Sequence, residues 1–133
     1  MTAVFADSFY YLAVMNADDA AHERAVRVSD SLGGPVVTTA WVLTEVADAL
    51  AAPGQRSGFL ALLEALRSDP EVSIVPPNED LFEAGISLYS RRPDKDWSLT
   101  DCISFVVMQQ RGLTEALTGD RHFEQAGFVA LLR

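Results

Sequence analysis

A chain of 133 residues has the length of one domain and can bury most of its apolar surface. It is 49% hydrophobic and 22% charged, an ordinary globular composition, and no apolar run is long enough to cross a bilayer. The formal charge of −9 argues against a simple basic RNA-binding module, since phosphate binding rests on Lys and Arg. It leaves room for a nuclease whose negative charge is gathered where cations bind. The only cysteine, Cys102, excludes an intrachain disulfide and a multi-cysteine zinc site. The opening segment Met1 to Ala6 lacks the basic start and long apolar stretch of a secretory signal, so a reducing cytoplasm is the expected compartment.

In chain order, Val4-Phe5-Ala6 reads as a buried strand, and Asp7-Ser8 leads into an apolar helix from Phe9 to Met15. Asp18 and Asp19 are predicted to open a second helix with the stripe Ala21, Ala25, Val28 and Leu32, stopped by Gly33-Gly34-Pro35. A strand at Val36-Val37-Thr38 precedes a helix from about Ala40 to Ala52, and Phe59, Leu62, Leu63 and Leu66 mark the next helix. Val72 to Val75 reads as a third strand. The helix after Asn78 is expected to bury Leu81, Phe82, Gly85, Ile86 and Tyr89. A helix from Ser98 or Thr100 to Gln110 is apolar nearly all round and belongs in the interior. Glu115 to Thr118 and Phe128 to Leu132 read as the last strands. No linker, repeat or charge block interrupts the pattern, so residues 1–133 read as one domain. The alternation of strands and helices implies an α/β fold, with a central, mostly parallel sheet covered on both faces.

In such sheets ligands bind beyond the carboxyl ends of the strands. Asp7 ends the first strand, Asp120 follows the strand at Glu115–Thr118, Asp101 opens the interior helix, and Glu45 lies in the helix after the second strand. Four carboxylates meeting at one rim would repel one another unless a cation neutralised them, and hard oxygen donors suit Mg²⁺ or Mn²⁺. Water activated by such an ion can attack a phosphodiester. Each acid also has a structural role open to it. Asp7 can cap the helix at Ser8, Ser98 and Asp101 have the spacing of a capping box, Asp120 can cap a short turn before His122-Phe123, and Glu45 can share a solvated face with Asp48. The joint pattern, more than any one residue, points to a metal site.

These segments resemble the PIN-domain family, and within it the VapC-like toxin ribonucleases of toxin–antitoxin pairs. The resemblance is carried by Phe5-Ala6-Asp7-Ser8-Phe9-Tyr10, by Thr38 to Glu45, by Asp96-Trp97-Ser98-Leu99-Thr100-Asp101-Cys102-Ile103-Ser104-Phe105, and by Leu117-Thr118-Gly119-Asp120-Arg121-His122-Phe123. It spans almost the whole chain in order, and the stretch around Asp101 is its most specific part. The resemblance implies a PIN fold, a Mg²⁺- or Mn²⁺-dependent endoribonuclease, and metal-binding roles for Asp7, Glu45, Asp101 and Asp120. Asp7 and Asp101 would be the principal ligands, Glu45 would bind metal or orient the attacking water, and Asp120 would complete the site. Ser8 and Thr118 would support these acids by hydrogen bonds. An antitoxin protein that silences the site, and a homodimer, are implied in the same way. A PIN nuclease serving RNA maturation and a non-catalytic PIN-like binding subunit remain alternatives.

Among other polar residues, His22 and His122 read as surface or packing histidines, because nuclease sites of this kind need carboxylates and no imidazole. Cys102 reads as a buried thiol and Trp97 as an anchor for its loop. Arg91, Arg92 and Lys95 form the one notable basic cluster and are candidates to contact RNA phosphates. Two rival acidic-pocket folds fail on sequence. A receiver domain needs an acidic pair after the first strand and a late lysine, but the sole lysine is Lys95. An aspartyl phosphatase needs Asp-x-Asp-x-Thr, whereas Asp7 is followed by Ser8, Phe9 and Tyr10.

Overall fold

In the computed structural model, which describes residues 2–133, five strands alternate with seven helices. The strands are β1 (Val4–Ala6), β2 (Val36–Thr39), β3 (Val72–Val75), β4 (Glu115–Leu117) and β5 (Val129–Ala130). They form one sheet in the order β3-β2-β1-β4-β5, with every neighbouring pair parallel. Parallel neighbours need crossover connections. These contain α1 (Ser8–Met15), α2 (His22–Ser31), α3 (Ala40–Ala49), α4 (Arg56–Ser68), α5 (Glu79–Arg91), α6 (Leu99–Gln110) and α7 (Arg121–Gln125).

All three residues of the central strand β1 are buried. Successive strand residues point to opposite faces, so both faces of the sheet are covered at its centre, as the sequence implied. From β1 the chain builds outward through β2 and β3, then crosses to the other side of β1 for β4 and β5. The strand order therefore reverses between β1 and β4, and a crevice opens beyond their carboxyl ends.

The elements around that crevice are pinned by an aromatic cluster. The Phe105 ring of α6 meets Phe123 of α7 edge-on at 4.9 Å and Trp97 at 5.0 Å, while Phe5 of β1 lies 6.3 Å from Phe123. Phe5, Phe105 and Phe123 are almost wholly buried, each contributing about 1.5–3 kcal/mol through removal from water. Trp97 is itself buried and donates Nε1–H to Gln125 Oε1 at 3.0 Å. It anchors its loop, as expected. Cys102 is a buried thiol whose pKa is pushed up by burial and by Asp101.

Several expectations are corrected. Asp18 and Asp19 do not open α2. They lie in a turn where the Asp19 carboxylate accepts from Ala21 N, and the helix starts at His22. Helix α3 stops at Ala49, short of the predicted Ala52, and β5 is only Val129–Ala130. The short helix α7 was not predicted. The largest departure is α5. Leu81 and Gly85 are buried, with Gly85 so close to α6 that an added Cβ would collide with the Ile103 side chain. Phe82, Ile86 and Tyr89, expected in the core, are instead 40%, 36% and 55% exposed. Periodicity identified an apolar stripe, but the α6 contact covers only the edge of it centred on Gly85.

Candidate active site

The register of β1 against β4 builds the site. Ala6 pairs with Leu117, so the next residues, Asp7 and Thr118, leave the sheet side by side. Asp7 N–H donates to Leu117 O at 3.3 Å, and Thr118 Oγ1–H donates to Asp7 Oδ2 at 2.8 Å. Asp7 is only 4% exposed. It occupies the N-cap position of α1, yet its side chain makes no capping bond. Its carboxylate is held by the threonine of the neighbouring strand end, so a capping role does not explain it.

The other three acids arrive on helices. Helix α3 is capped by Thr39, whose Oγ1 accepts from Val42 N at 3.1 Å. Glu45 then falls in its second turn, where Ser8 Oγ–H donates to Glu45 Oε1 at 2.9 Å. Asp101 does complete a capping box at the start of α6. Its N–H donates to Ser98 Oγ at 3.0 Å, and Ser98 N–H returns a bond to Asp101 Oδ2 at 3.2 Å. Asp120 caps α7, its Oδ1 accepting from His122 N at 2.9 Å, while its own N–H donates to Thr118 Oγ1 at 3.0 Å. Thr118 thus ties Asp7 and Asp120 to one hydroxyl.

Among the described residues, every hydrogen bond to these carboxylates uses the same single oxygen of each. These are Asp7 Oδ2, Glu45 Oε1, Asp101 Oδ2 and Asp120 Oδ1. The second oxygen of each acid accepts no well-aligned hydrogen bond from the described residues, although the Ser8 backbone N–H lies near the Asp7 carboxylate. No Lys or Arg among the described residues forms an ion pair with any of the four.

The carboxylates also feel one another. Burial pushes Asp7 up to about 7, against the Thr118 hydrogen bond and the Ser8 backbone N–H, and the charges of Asp101 and Glu45 add to the rise. Glu45 is raised by burial, with Asp101 and Asp120 adding to it against the Ser8 bond. Asp101 is raised by burial and by Asp120, against its bonds to Ser98 and His122. Converging, mutually repelling oxygens that keep one lone-pair face free fit a hard divalent cation such as Mg²⁺ or Mn²⁺.

His122 was expected to be a bystander. Its Nδ1 lies 3.1 Å from Asp101 Oδ2 and 3.3 Å from Asp120 Oδ1, with the side chain 19% exposed. Asp101, Asp120 and His122 together offer donor atoms within 4.8 Å of one another. His22, by contrast, holds the α1–α2 connection through Nδ1 to Ala13 O at 2.7 Å. Gly119 leaves room for the Phe9 ring, where a Cβ would collide, and so lets the Thr118–Asp120 turn close over α1. In the basic cluster, Arg92 is paired with Asp94 at 2.9 Å and its guanidinium lies 5.1 Å from the centre of the Trp97 ring.

A five-stranded parallel sheet with a carboxylate cluster at its switch point defines an α/β protein equipped to hold a divalent cation. The chain belongs to the PIN domain family, which it matches over residues 4–129. It is 32% identical over 128 residues to the 23S rRNA-specific endonuclease VapC20 from two strains of Mycobacterium tuberculosis, covering 95% of this chain and 95% of each relative. The crystal structure of M. tuberculosis VapC20, described as a sarcin–ricin loop cleaving toxin, superposes with a TM-score of 0.87 at 31% identity, covering 95% of this chain and 96% of that one. FitAcB from Neisseria gonorrhoeae shares the fold, with a TM-score of 0.69 at 21% identity, covering 96% of this chain and 94% of that one.

The raised Asp7 carboxyl has a consequence for stability. A carboxyl whose pKa rises on folding stabilises the folded state fully below its unfolded pKa, and that contribution is lost as pH rises through the folded value. In EDTA the protein should lose stability between about pH 4 and about pH 7, by on the order of 4 kcal/mol at most from this residue. Glu45 and Asp101 act in the same direction. Urea unfolding at pH 5 and pH 8 should show Asp7→Asn to be more stable than wild type at pH 8, with a flatter pH dependence. An Asp7→Asn variant with an unchanged pH profile would contradict this placement of the charge.

Proposed function

We propose that this chain is a Mg²⁺- or Mn²⁺-dependent endoribonuclease, the toxin of a toxin–antitoxin pair, with ribosomal RNA as its substrate. The observation that carries the proposal is the set of four carboxylates at the switch point, each with one oxygen committed to the protein and one free. The likeness to an rRNA endonuclease over 95% of both chains supports the substrate class, and the likeness to a crystal structure described as that of a toxin supports the toxin role.

Asp7, Asp101 and Asp120 would supply the carboxylates that hold the cation, Asp101 and Asp120 being the two whose donor atoms already lie within 4.8 Å of each other. Such a cation would supply an acidified water and countercharge for the scissile phosphate. Asp7 is the acid most dependent on that countercharge, because it is the most buried of the four and would otherwise hold a proton near neutral pH. Glu45 is only half buried and is fixed at Oε1 by Ser8. Its free Oε2 can accept a hydrogen bond from the attacking water and set its direction. Thr118 keeps Asp7 and Asp120 in place from behind. An acidic mouth repels RNA phosphates unless cations are present, so binding and cleavage should share one metal dependence.

A second copy of this chain and a cognate antitoxin complete the reading. The stripe Phe82, Ile86 and Tyr89 on α5 supports the homodimer, since exposed contiguous apolar side chains mark contact surfaces. Light scattering after size exclusion should give twice the chain mass for wild type and one chain mass for Phe82→Glu/Ile86→Glu; a monomeric wild type would remove the homodimer from the proposal. An antitoxin co-expressed with the chain should co-purify and suppress cleavage, and a chain harmless on its own would count against the toxin role.

The activity test uses partner-free protein on bacterial ribosomes and on total RNA, with Mg²⁺, with Mn²⁺ and with EDTA. Wild type should release a discrete fragment of 23S rRNA in the presence of metal. Asp7→Asn and Asp101→Asn should each reduce the rate by at least ~100-fold, more than losing a group that merely orients a ligand. Folded wild-type protein that cleaves no RNA under any of these conditions would favour a non-catalytic binding subunit.

A further inference from the structure

We infer that His122 is a positioning residue for the cation, acting through Asp101 and Asp120; the inference rests on the metal-dependent reading of the site. The argument starts from which atoms are occupied. An ionised carboxylate oxygen can only accept, so the imidazole Nδ1 at 3.1 Å from Asp101 Oδ2 carries the proton and donates it there, with Asp120 Oδ1 beside it at 3.3 Å, in electrostatic reach but outside hydrogen-bond geometry. Those oxygens are the same two that accept the backbone bonds from Ser98 N and His122 N. Nδ1–H therefore sits on the protein side of both acids, and each keeps its other oxygen for the cation. A ring donating Nδ1–H toward these acids is not itself a ligand through that atom.

The geometry also explains why a histidine is needed here. Asp101 is fixed by the start of α6 and Asp120 by the cap of α7, and the two helices touch through Phe105 and Phe123. Without a donor between them, two like charges on separate helices would spread apart. His122 lies on α7 two residues after Asp120 and reaches across to α6, so one hydrogen bond sets the spacing of the pair. The backbone N–H of the same residue holds Asp120 Oδ1 at 2.9 Å. This is the arrangement in which an outer hydrogen bond sets the orientation of a metal-binding group.

The test measures Mn²⁺ affinity in the absence of RNA, by the electron paramagnetic resonance signal of free Mn²⁺, on wild type and four variants. His122→Leu fills the space of the ring without a donor, and His122→Ala removes both. Each should weaken Mn²⁺ binding by ~10-fold or more. His122→Asn places an amide N–H near the position of Nδ1 and should bind within ~3-fold of wild type. Urea midpoints report folding, and should Leu fail to fold, Ala against Asn decides. A purely packing role for the ring predicts that Leu retains wild-type affinity, and a directly coordinating imidazole predicts that Asn binds as weakly as Ala; either result overturns the inference. Asp101→Asn is the control for the underlying reading. If it binds Mn²⁺ like wild type, the metal site itself is wrong, whereas weakened Asp101→Asn with wild-type affinity in His122→Leu sinks only the role of His122.

Discussion

The hydrogen bond from Thr118 to Asp7 joins residues 111 positions apart in the chain, and the rest of the site is arranged around it. It follows from the parallel pairing of β1 with β4, which puts Ala6 opposite Leu117. A slip of one residue in that pairing would turn Thr118 to the other face of its strand and leave Asp7 buried without a donor. An unpaired buried carboxylate is far more costly than one that accepts a hydrogen bond. The same Thr118 oxygen then accepts from Asp120 N, so the sheet register also determines where the last acid of the cluster stands.

Placing four acids together works against folding, and the structure offsets this only in part. Asp7 lies just before α1, Asp101 lies in the first turn of α6 and Asp120 caps α7, so three of them meet the favourable end of a helix dipole. Each accepts from the protein on one oxygen. Even so, burial and mutual repulsion leave Asp7, Glu45 and Asp101 with raised pKa values. A fold optimised for stability alone would not gather these groups at one point without a cation to share them. Strain of that kind marks functional sites, where local rules are broken for chemistry.

Much of this was legible in the sequence because it depends on local signals. Val4-Phe5-Ala6 followed by Asp7, and Ser98-x-x-Asp101 before an all-apolar helix, each fix an acid relative to its own element. The four predicted acids feel one another's charge at the crevice, but of the four only Asp101 and Asp120, joined by His122, form a group with donor atoms within 4.8 Å of one another. Other features depend on contacts that spacing does not encode. The stripe on α5 was read as core because Phe82, Ile86 and Tyr89 repeat at helical spacing, but a 3.6-residue period cannot tell a face covered by α6 from one left at the surface. His122 was set aside because nuclease sites of this kind need carboxylates and no imidazole. Its partner is Asp101, 21 residues away on another helix. The Asp120-Arg121-His122 run carries a local signal only for the Asp120 cap, since a residue two positions after an N-cap brings its backbone N–H to that cap. Helix α7 is only five residues long, too short for its periodicity to register.

The central claim, that these four carboxylates share one divalent-cation site, is tested most directly by anomalous diffraction from crystals soaked in Mn²⁺. The expected result is an anomalous peak at the switch-point crevice, in contact with the free oxygens of Asp7 and Asp101 and absent from Asp7→Asn crystals. Ordered, wild-type crystals with no Mn²⁺ at these residues, or with Mn²⁺ bound only at other surface acids, would contradict it.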